Sequence, residues 1–161
     1  MVNIRNVEWT DLPRLVAIEH QCFPKEEAAT KTAFEERIQR IADSFFVAVV
    51  DNQVVGLVNG PVISQPFITD DLFSDIKDNP PTGGHQSILG IAVAPLFQNR
   101  GIASALLAHL ERSAKEKQRD TVTLTCKEEL VYFYERKGYQ NRGVSNSQHG
   151  GVTWYNMTKS L

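Results

Sequence analysis

Cysteine is scarce in this chain. Its only two, Cys22 and Cys126, lie far apart and fit no metal-ligand spacing. That argues against a disulfide framework and for a reduced pair, although a single bridge between them stays open. His20, His109 and His149 have no companions at ligand spacing either, so no metal is expected. Long apolar runs are missing too. None approaches the ~20 residues of a membrane helix, and the start, Met-Val-Asn-Ile-Arg-Asn-Val-Glu, has no apolar core of a secretory signal. Neither sign of charge dominates. With 17 basic and 19 acidic residues the net charge is −2, which argues against nucleic acid held by broad electrostatics. Two phosphate-binding signatures are also absent: G-x-G-x-x-G, and Gly-Lys-Ser/Thr after a glycine loop. The expectation is a cytoplasmic protein with no nucleic-acid or membrane partner.

What the chain does hold is an ordinary globular composition, 42% hydrophobic and 22% charged over 161 residues. One domain over 1–161 with a full core fits that size. Residues 2–7 alternate like a half-buried strand. Thr10-Asp11-Leu12-Pro13 opens a helix, with Thr10 or Asp11 as cap, and Leu12, Leu15, Val16 and Ile18 carry it to about Cys22. A second helix is predicted over 30–42, with Phe34, Ile38 and Ile41 on one face. Residues 45–50 and 54–62 read as a hairpin around Asp51-Asn52, kinked at its end by Gly60 and Pro61. The segment 64–84 breaks the rhythm with Pro66, Pro80, Pro81, Gly83 and Gly84, and is acidic at Asp70, Asp71, Asp75 and Asp78. A short helix around 71–76 fits within it. An insertion this long is either functional or a tolerated surface loop. A central strand over 85–93 follows, then a helix over 102–117 buried along Leu106, Leu107 and Leu110. A strand over 121–126, a helix over 129–137 stopped by Gly138, and a closing pair over 139–144 and 152–158 complete the order β-α-α-β-β-β-α-β-α-β-β.

The most informative stretch is Ile91-Ala-Val-Ala-Pro-Leu-Phe-Gln-Asn-Arg-Gly-Ile-Ala-Ser. Its loop, Gln98-Asn-Arg-Gly101-Ile-Ala103, is small where a ligand would approach the backbone. A helix opening there aims its free N–H groups and positive dipole end outward. Arg100 adds a full charge. The physical reading is a pocket for a pyrophosphate; the plainer alternative is a strand-to-helix turn.

The pattern Gln/Arg-x-x-Gly-x-Gly/Ala, after a strand ending in Val-x-Pro, resembles the acetyl-CoA loop of the GNAT N-acetyltransferases. Val131-Tyr-Phe-Tyr134-Glu-Arg-Lys-Gly138-Tyr139 resembles that family's Phe-Tyr-x-x-x-Gly-Phe/Tyr segment. Cys22-Phe-Pro-Lys-Glu26-Glu27-Ala-Ala and Thr125-Cys126-Lys-Glu-Glu-Leu-Val131 are similar to the arylalkylamine (serotonin-type) branch. The resemblance implies the GNAT fold, α/β (α+β), with a mixed central sheet of six to seven strands flanked by about four helices. It implies acetyl-CoA as cosubstrate, bound by Ile91, Ala92 and Val93 on the strand, by Gln98, Asn99, Arg100, Gly101, Ile102, Ala103 and Ser104 in the loop, and by Phe133.

Moving an acetyl group from a thioester to an amine needs a proton acceptor, an oxyanion donor and an acid for the leaving thiolate. Tyr134 matches the family tyrosine near the sulfur and is the candidate acid. The oxyanion donor is expected on the strand near Ile91. The two strand histidines of the serotonin-type branch are replaced here by Ser87 and Leu89. His85 shares a strand face with Ser87 and stands as a base acting through Ser87 or a water. Glu26 and Glu27 are rivals. Cys126 reads as a buried strand cysteine. Phe23, Phe45, Phe67 and Phe73 are candidates to line an apolar acceptor site, and the acidic 70–78 stretch to draw in a cation. The expected acceptor is a small primary amine, with an arylalkylamine as one form. The alternative is an acyl-CoA-binding sensor on the same scaffold. A homodimer through the last two strands is possible.

Overall fold

The computed structural model describes residues 1–147 and 149–161. In chain order it holds β1 (Asn3–Asn6), α1 (Leu12–Cys22), α2 (Lys31–Ile41), β2 (Phe45–Val50), β3 (Gln53–Asn59), β4 (Val62–Ile63), β5 (His85–Ile88), β6 (Gly90–Val93), α3 (Ile102–Glu116), β7 (Thr121–Cys126), α4 (Glu128–Arg136), β8 (Gln140–Val144) and β9 (Tyr155–Ser160). The acidic insertion contributes a 3-10 turn at Asp70–Phe73 in place of the expected short helix. Among the described residues no helix is long and apolar enough to cross a membrane.

Local chemistry explains the elements. Asp51 and Asn52 both take left-handed φ, 50° and 63°, which matches the twist of the β2–β3 hairpin they join. Thr30 caps α2 by accepting from the Ala33 amide at 3.1 Å. Pro13 occupies the first turn of α1, where its missing N–H costs nothing. Along β2, Phe45 and Val47 pack with Leu15, Ile18, Phe34 and Ile38 of α1 and α2. Phe46 and Ala48 face the opposite way, onto Leu106, Leu107 and Leu110 of α3. The period of two thus places two helices on one face of the sheet and α3 on the other.

The expected strand over 85–93 is two strands. β5 runs parallel to β7 in a five-stranded sheet ordered β4-β5-β7-β9-β8, while β6 closes a four-stranded sheet ordered β1-β2-β3-β6. The expected strand over 54–62 divides in the same way, into β3 and β4. The cause lies at Gly60-Pro61. Proline offers no N–H to a ladder, and β3 stops pairing just before it. A Cβ on Gly60 would come within 2.1 Å of the Ser87 carbonyl oxygen. At that crossing Leu89 donates to Asn59 O at 2.8 Å and Ser87 to Pro61 O at 3.1 Å. The α/β layering with mixed sheets and four helices agrees with the sequence; the continuity of the strands does not.

Candidate active site

Because β5 leaves with β7 and β6 stays with β3, a gap opens between β6 and β7. Two cavities meet along it. One, of about 460 Å³, runs beside Ile91, Ala92 and Val93 to the Gln98–Ser104 loop and Phe133. The other, of about 350 Å³, lies between Ile88–Ile91 and Leu124–Lys127. They share Cys22, Phe23, Ile91, Leu130 and Tyr134. A third, of about 290 Å³, continues beyond Glu19, Glu27, Phe73 and His149.

At the first end, β6 is the last strand of its sheet. Ala94 donates to Val55 O at 2.8 Å. Antiparallel alternation therefore turns the peptide groups of Val93 and Ile91 away from β3, toward the gap. The Val93 carbonyl accepts from Gln98 Nε2 at 2.9 Å and from Cys22 Sγ at 3.2 Å, which ties the loop and α1 to this edge. Gly101 holds φ +79°, a conformation that favours glycine, and a Cβ there would meet no protein atom within 4 Å. The space beside it is open for a ligand. Ala105 N bonds Gly101 O, so the amides of Ile102, Ala103 and Ser104 precede the helix ladder. Arg100 stacks its guanidinium 5.2 Å from the Phe97 ring centre. These groups suit an anion at a helix N-terminus.

Tyr134 sits where the two cavities join. It is 4% exposed, edge-on to Phe133 and Tyr139 at 5.1 and 5.6 Å. Burial, and secondarily Cys126, push its phenol above its ordinary range, so it keeps its proton. Burial pushes the Cys126 thiol to about 11 and raises Cys22 as well. Neither is a thiolate at neutral pH.

At the other end, three distant segments converge. Phe73 stacks on His149 at 4.4 Å and 6°. His149 donates Nε2–H to the Glu27 carbonyl at 3.1 Å, and Trp154 Nε1 donates to His149 O at 2.6 Å. Ser147 bonds Asp70 at 2.5 Å. Glu27 pairs with Lys127 at 2.9 Å. Beneath them Glu19, 5% exposed, accepts from Ala29 N at 2.8 Å. Burial raises its carboxyl above the ordinary range, against the pull of the Ala29 amide, Arg37, His20 and His149. Arg37, 3% exposed, bonds Asn59 Oδ1 at 3.1 Å; burial lowers it to about 10, so it stays charged.

The structure brings Tyr134, Glu27, Phe133, Ile91–Val93 and, from the loop, Gln98, Asn99 and Gly101–Ser104 to the gap; Arg100 is exposed, over the Phe97 ring, and does not line it. Nor does the structure bring His85 and Ser87 there. Both lie on β5, beyond the break. The Ser87 hydroxyl is fully buried and donates to Pro61 O at 2.5 Å, and His85 Nδ1 lies 2.8 Å from Thr121 Oγ1. Glu26 is exposed. Of the four phenylalanines, Phe23 and Phe73 line the second cavity, Phe45 is core and Phe67 is exposed. Sequence reasoning missed Glu19, Arg37, His149, Lys127 and Trp154. Two of them carried a signal: Glu19 falls on the 15-18-19-22 stripe of α1 and Arg37 on the 34-37-38-41 stripe of α2, each a charge on an apolar helical face.

Residues 4–139 match the model of the acetyltransferase (GNAT) family. An N-alpha-acetyltransferase of Saccharolobus solfataricus is 32% identical over 112 residues, covering 70% of this chain and 62% of that protein. One from Sulfurisphaera tokodaii is 31% identical over 113 residues, with the same 70% and 62% coverage. The match thus spans less than two thirds of either relative. A GNAT-like decarboxylase, GphF, solved with isobutyryl-CoA, superposes with a TM-score of 0.84 at 18% identity over 98% of both chains. Arabidopsis thaliana Naa50, solved with the bisubstrate analogue CoA-Ac-MVNAL, gives 0.76 at 16% identity over 99% of both. At such identities these structures show a shared fold.

Proposed function

The chain belongs to the acetyltransferase (GNAT) family, and from that premise we propose that it is an acetyl-CoA-dependent N-acetyltransferase acting on a small primary amine with a flat apolar body. The observation that carries the reading is the joined pair of cavities, with an anion-binding helix start at one end, an aromatic-walled acidic chamber at the other, and Tyr134 between them.

Acetyl-CoA supplies the activated acetyl group as a thioester. The amides of Ile102, Ala103 and Ser104 face its pyrophosphate, and Arg100, over Phe97 at the rim, adds positive charge nearby. The Ile91 peptide group and the Val93 N–H offer a strand edge to its pantetheine arm and an N–H to the developing oxyanion, the Val93 carbonyl being taken by Gln98 and Cys22. The Tyr134 hydroxyl, kept protonated by burial, donates to the departing sulfur. In the acceptor chamber, Glu19, Glu27 and Glu129 set three carboxylates against the one ammonium of Lys127, which favours a cationic amine. Glu27, held by Lys127, contributes charge and shape to that wall.

The aromatic walls Phe23, Phe73 and Trp154 favour an arylalkyl body. Phe73 stacked on His149 walls the chamber on one side, which favours a small molecule over a polypeptide. A second reading, an N-terminal α-amine, is favoured by the names of the two relatives. Release of CoA thiol against phenethylamine, tryptamine, spermidine and peptides with free N-termini separates them. The first reading expects kcat/KM to be highest for the arylalkylamines. Turnover confined to peptides would replace it with the second. Calorimetric acetyl-CoA binding without any turnover would leave a sensor.

A further inference from the structure

We propose that Glu19 is the catalytic proton acceptor for the incoming amine, an inference that rests on the acetyl-transfer reading of the same site. A primary amine arrives as an ammonium, with a pKa of about 10 by analogy with lysine, and has no lone pair to attack with. A group in the acceptor chamber must take one proton.

The chamber offers few groups for this. Lys127 is a cation. Glu27 Oε2 is taken by Lys127 at 2.9 Å, so a proton placed there would break that pair. His149 spends Nε2–H on the Glu27 carbonyl and one ring face on Phe73, which leaves Nδ1 as its basic atom and makes it the rival acceptor. Loss of the acidic limb in His149→Gln but not in Glu19→Gln would assign the role to it instead. Glu129 is exposed. Glu19 differs in three ways. It lines both the second and third cavities. Its Oε2 is anchored by the Ala29 amide, while Oε1 has no hydrogen-bond partner among the described residues. It also lies three residues before Cys22 on one helical stripe, roughly 4.5 Å back along the axis. Cys22 reaches the Val93 carbonyl of β6 and lines both cavities at the junction. Glu19 is therefore anchored about one helical turn from the residue that touches the strand edge where the acyl group would lie.

The proton balance closes. One ammonium N–H bond breaks and its proton passes to Glu19 Oε1, leaving the electron pair on nitrogen. The nitrogen attacks the thioester carbon, the C–S bond breaks, and the sulfur takes the Tyr134 proton. A second N–H proton, shed as the amide forms, restores Tyr134. Glu19 returns its proton to solvent through the third cavity.

The charged and titratable groups facing Glu19 are His20 and Cys22 on α1, Arg37 from α2, Glu27 from the following loop and His149 from the covering segment. Burial outweighs the positive ones and keeps the carboxyl above its ordinary range. That moves it toward the pH at which a base is most effective.

The test is Glu19→Gln, which keeps an acceptor for the Ala29 amide. Thiol release is read from pH 5 to 9.5 with whichever of phenethylamine, spermidine or a free tripeptide turns over fastest. The parent should show an acidic limb in kcat/KM. Glu19→Gln should lose about 100-fold in kcat, well beyond any rise in KM from the lost charge, and lose the limb; Glu19→Asp should restore part of both. Glu27→Gln should raise KM and keep the limb. A Glu19→Gln enzyme with an intact limb and kcat within threefold overturns the proposal. A carbon-13 titration of the CoA-bound protein, with the Glu19 signal identified by its loss in Glu19→Gln, decides without turnover. A carboxyl titrating at or below the ~4.3 of ordinary glutamate overturns the assignment alone. Failure to bind acetyl-CoA, or binding with no turnover of any acceptor, overturns the acetyl-transfer reading and Glu19 with it.

Discussion

Tyr134 is the residue on which the proposed chemistry converges, and its surroundings make a sharp substitution possible. The ring is wedged between Phe133 and Tyr139, so Tyr134→Phe keeps the packing and removes the hydroxyl alone. Its kcat should fall about 100-fold while the acetyl-CoA dissociation constant stays within twofold, because the donor groups on β6 and α3 are untouched. Unchanged turnover would remove Tyr134 from the mechanism. Tyr134 and the Gln98–Ser104 loop were legible in the sequence because each signal is contiguous: a strand, a small-residue loop and a helix, or an aromatic run ending in glycine. Glu19 and Arg37 were not singled out, because a charge on an apolar stripe reads locally as an interruption of the pattern. Only the packed fold shows that each is buried and faces a cavity. His149 and Trp154 carry no local signal, since their position depends on contacts with Phe73 and Glu27 far away in the chain.

At the level of elements, the parting of β5 and β6 creates the gap. Apolar periodicity over 85–93 could not show it, because hydrogen-bond partners are invisible to a pattern of side chains. The signal stood on the neighbouring strand, in Gly60-Pro61. Gly60→Ala places a methyl 2.1 Å from the Ser87 carbonyl oxygen and 2.5 Å from its carbon. Backbone cannot yield as a flexible side chain would, so the variant should lose several kcal/mol in urea unfolding. A loss below about 0.5 kcal/mol would show that the two strands part without this crossing. A second joint is the fork from Arg5 on β1 to Asp11 before α1, with two bonds of 2.9 Å. Burial alone would raise the Asp11 carboxyl, but the Arg5 bonds and the Glu8 amide outweigh it and hold it below its usual range. A depressed carboxylate stabilises the fold above its unfolded pKa of about 3.9, and that contribution is lost as pH falls through the lower folded value. The stability gap between parent and Asp11→Asn should therefore be widest at pH 6 and shrink toward pH 2. A gap independent of pH would show that the fork contributes packing rather than charge.

Across the whole molecule, the proposed acceptor chamber draws its walls from segments remote in sequence: Phe23 and Glu27 after α1, Phe73 in the turn of the insertion, and His149 and Trp154 before β9. Phe73, His149, Glu27 and Lys127 hold one another across these segments, so this wall depends on several elements and not on any one. Phe23 of the loop after α1 lines both cavities, whereas Phe73, His149 and Trp154 line the one proposed for the acceptor and not the one beside Gln98–Ser104. On the proposed reading, the residues that would choose the amine include these three, which take no part in the cosubstrate cavity. Phe73→Ala removes the ring stacked on His149 and opens the chamber on the side of the insertion. Loss of one aromatic wall is worth about 1.4 kcal/mol, or tenfold in affinity. KM for phenethylamine should rise about tenfold while KM for acetyl-CoA stays unchanged. A peptide N-terminus, which gains room and loses no stacking, should be acetylated at least as well as before, so that the ratio of the two acceptors shifts toward the peptide. If both acceptors weaken together, Phe73 supports the fold of the covering segments and takes no part in selecting the amine. If neither changes, the amine approaches from another side, and the small-molecule reading loses its structural basis.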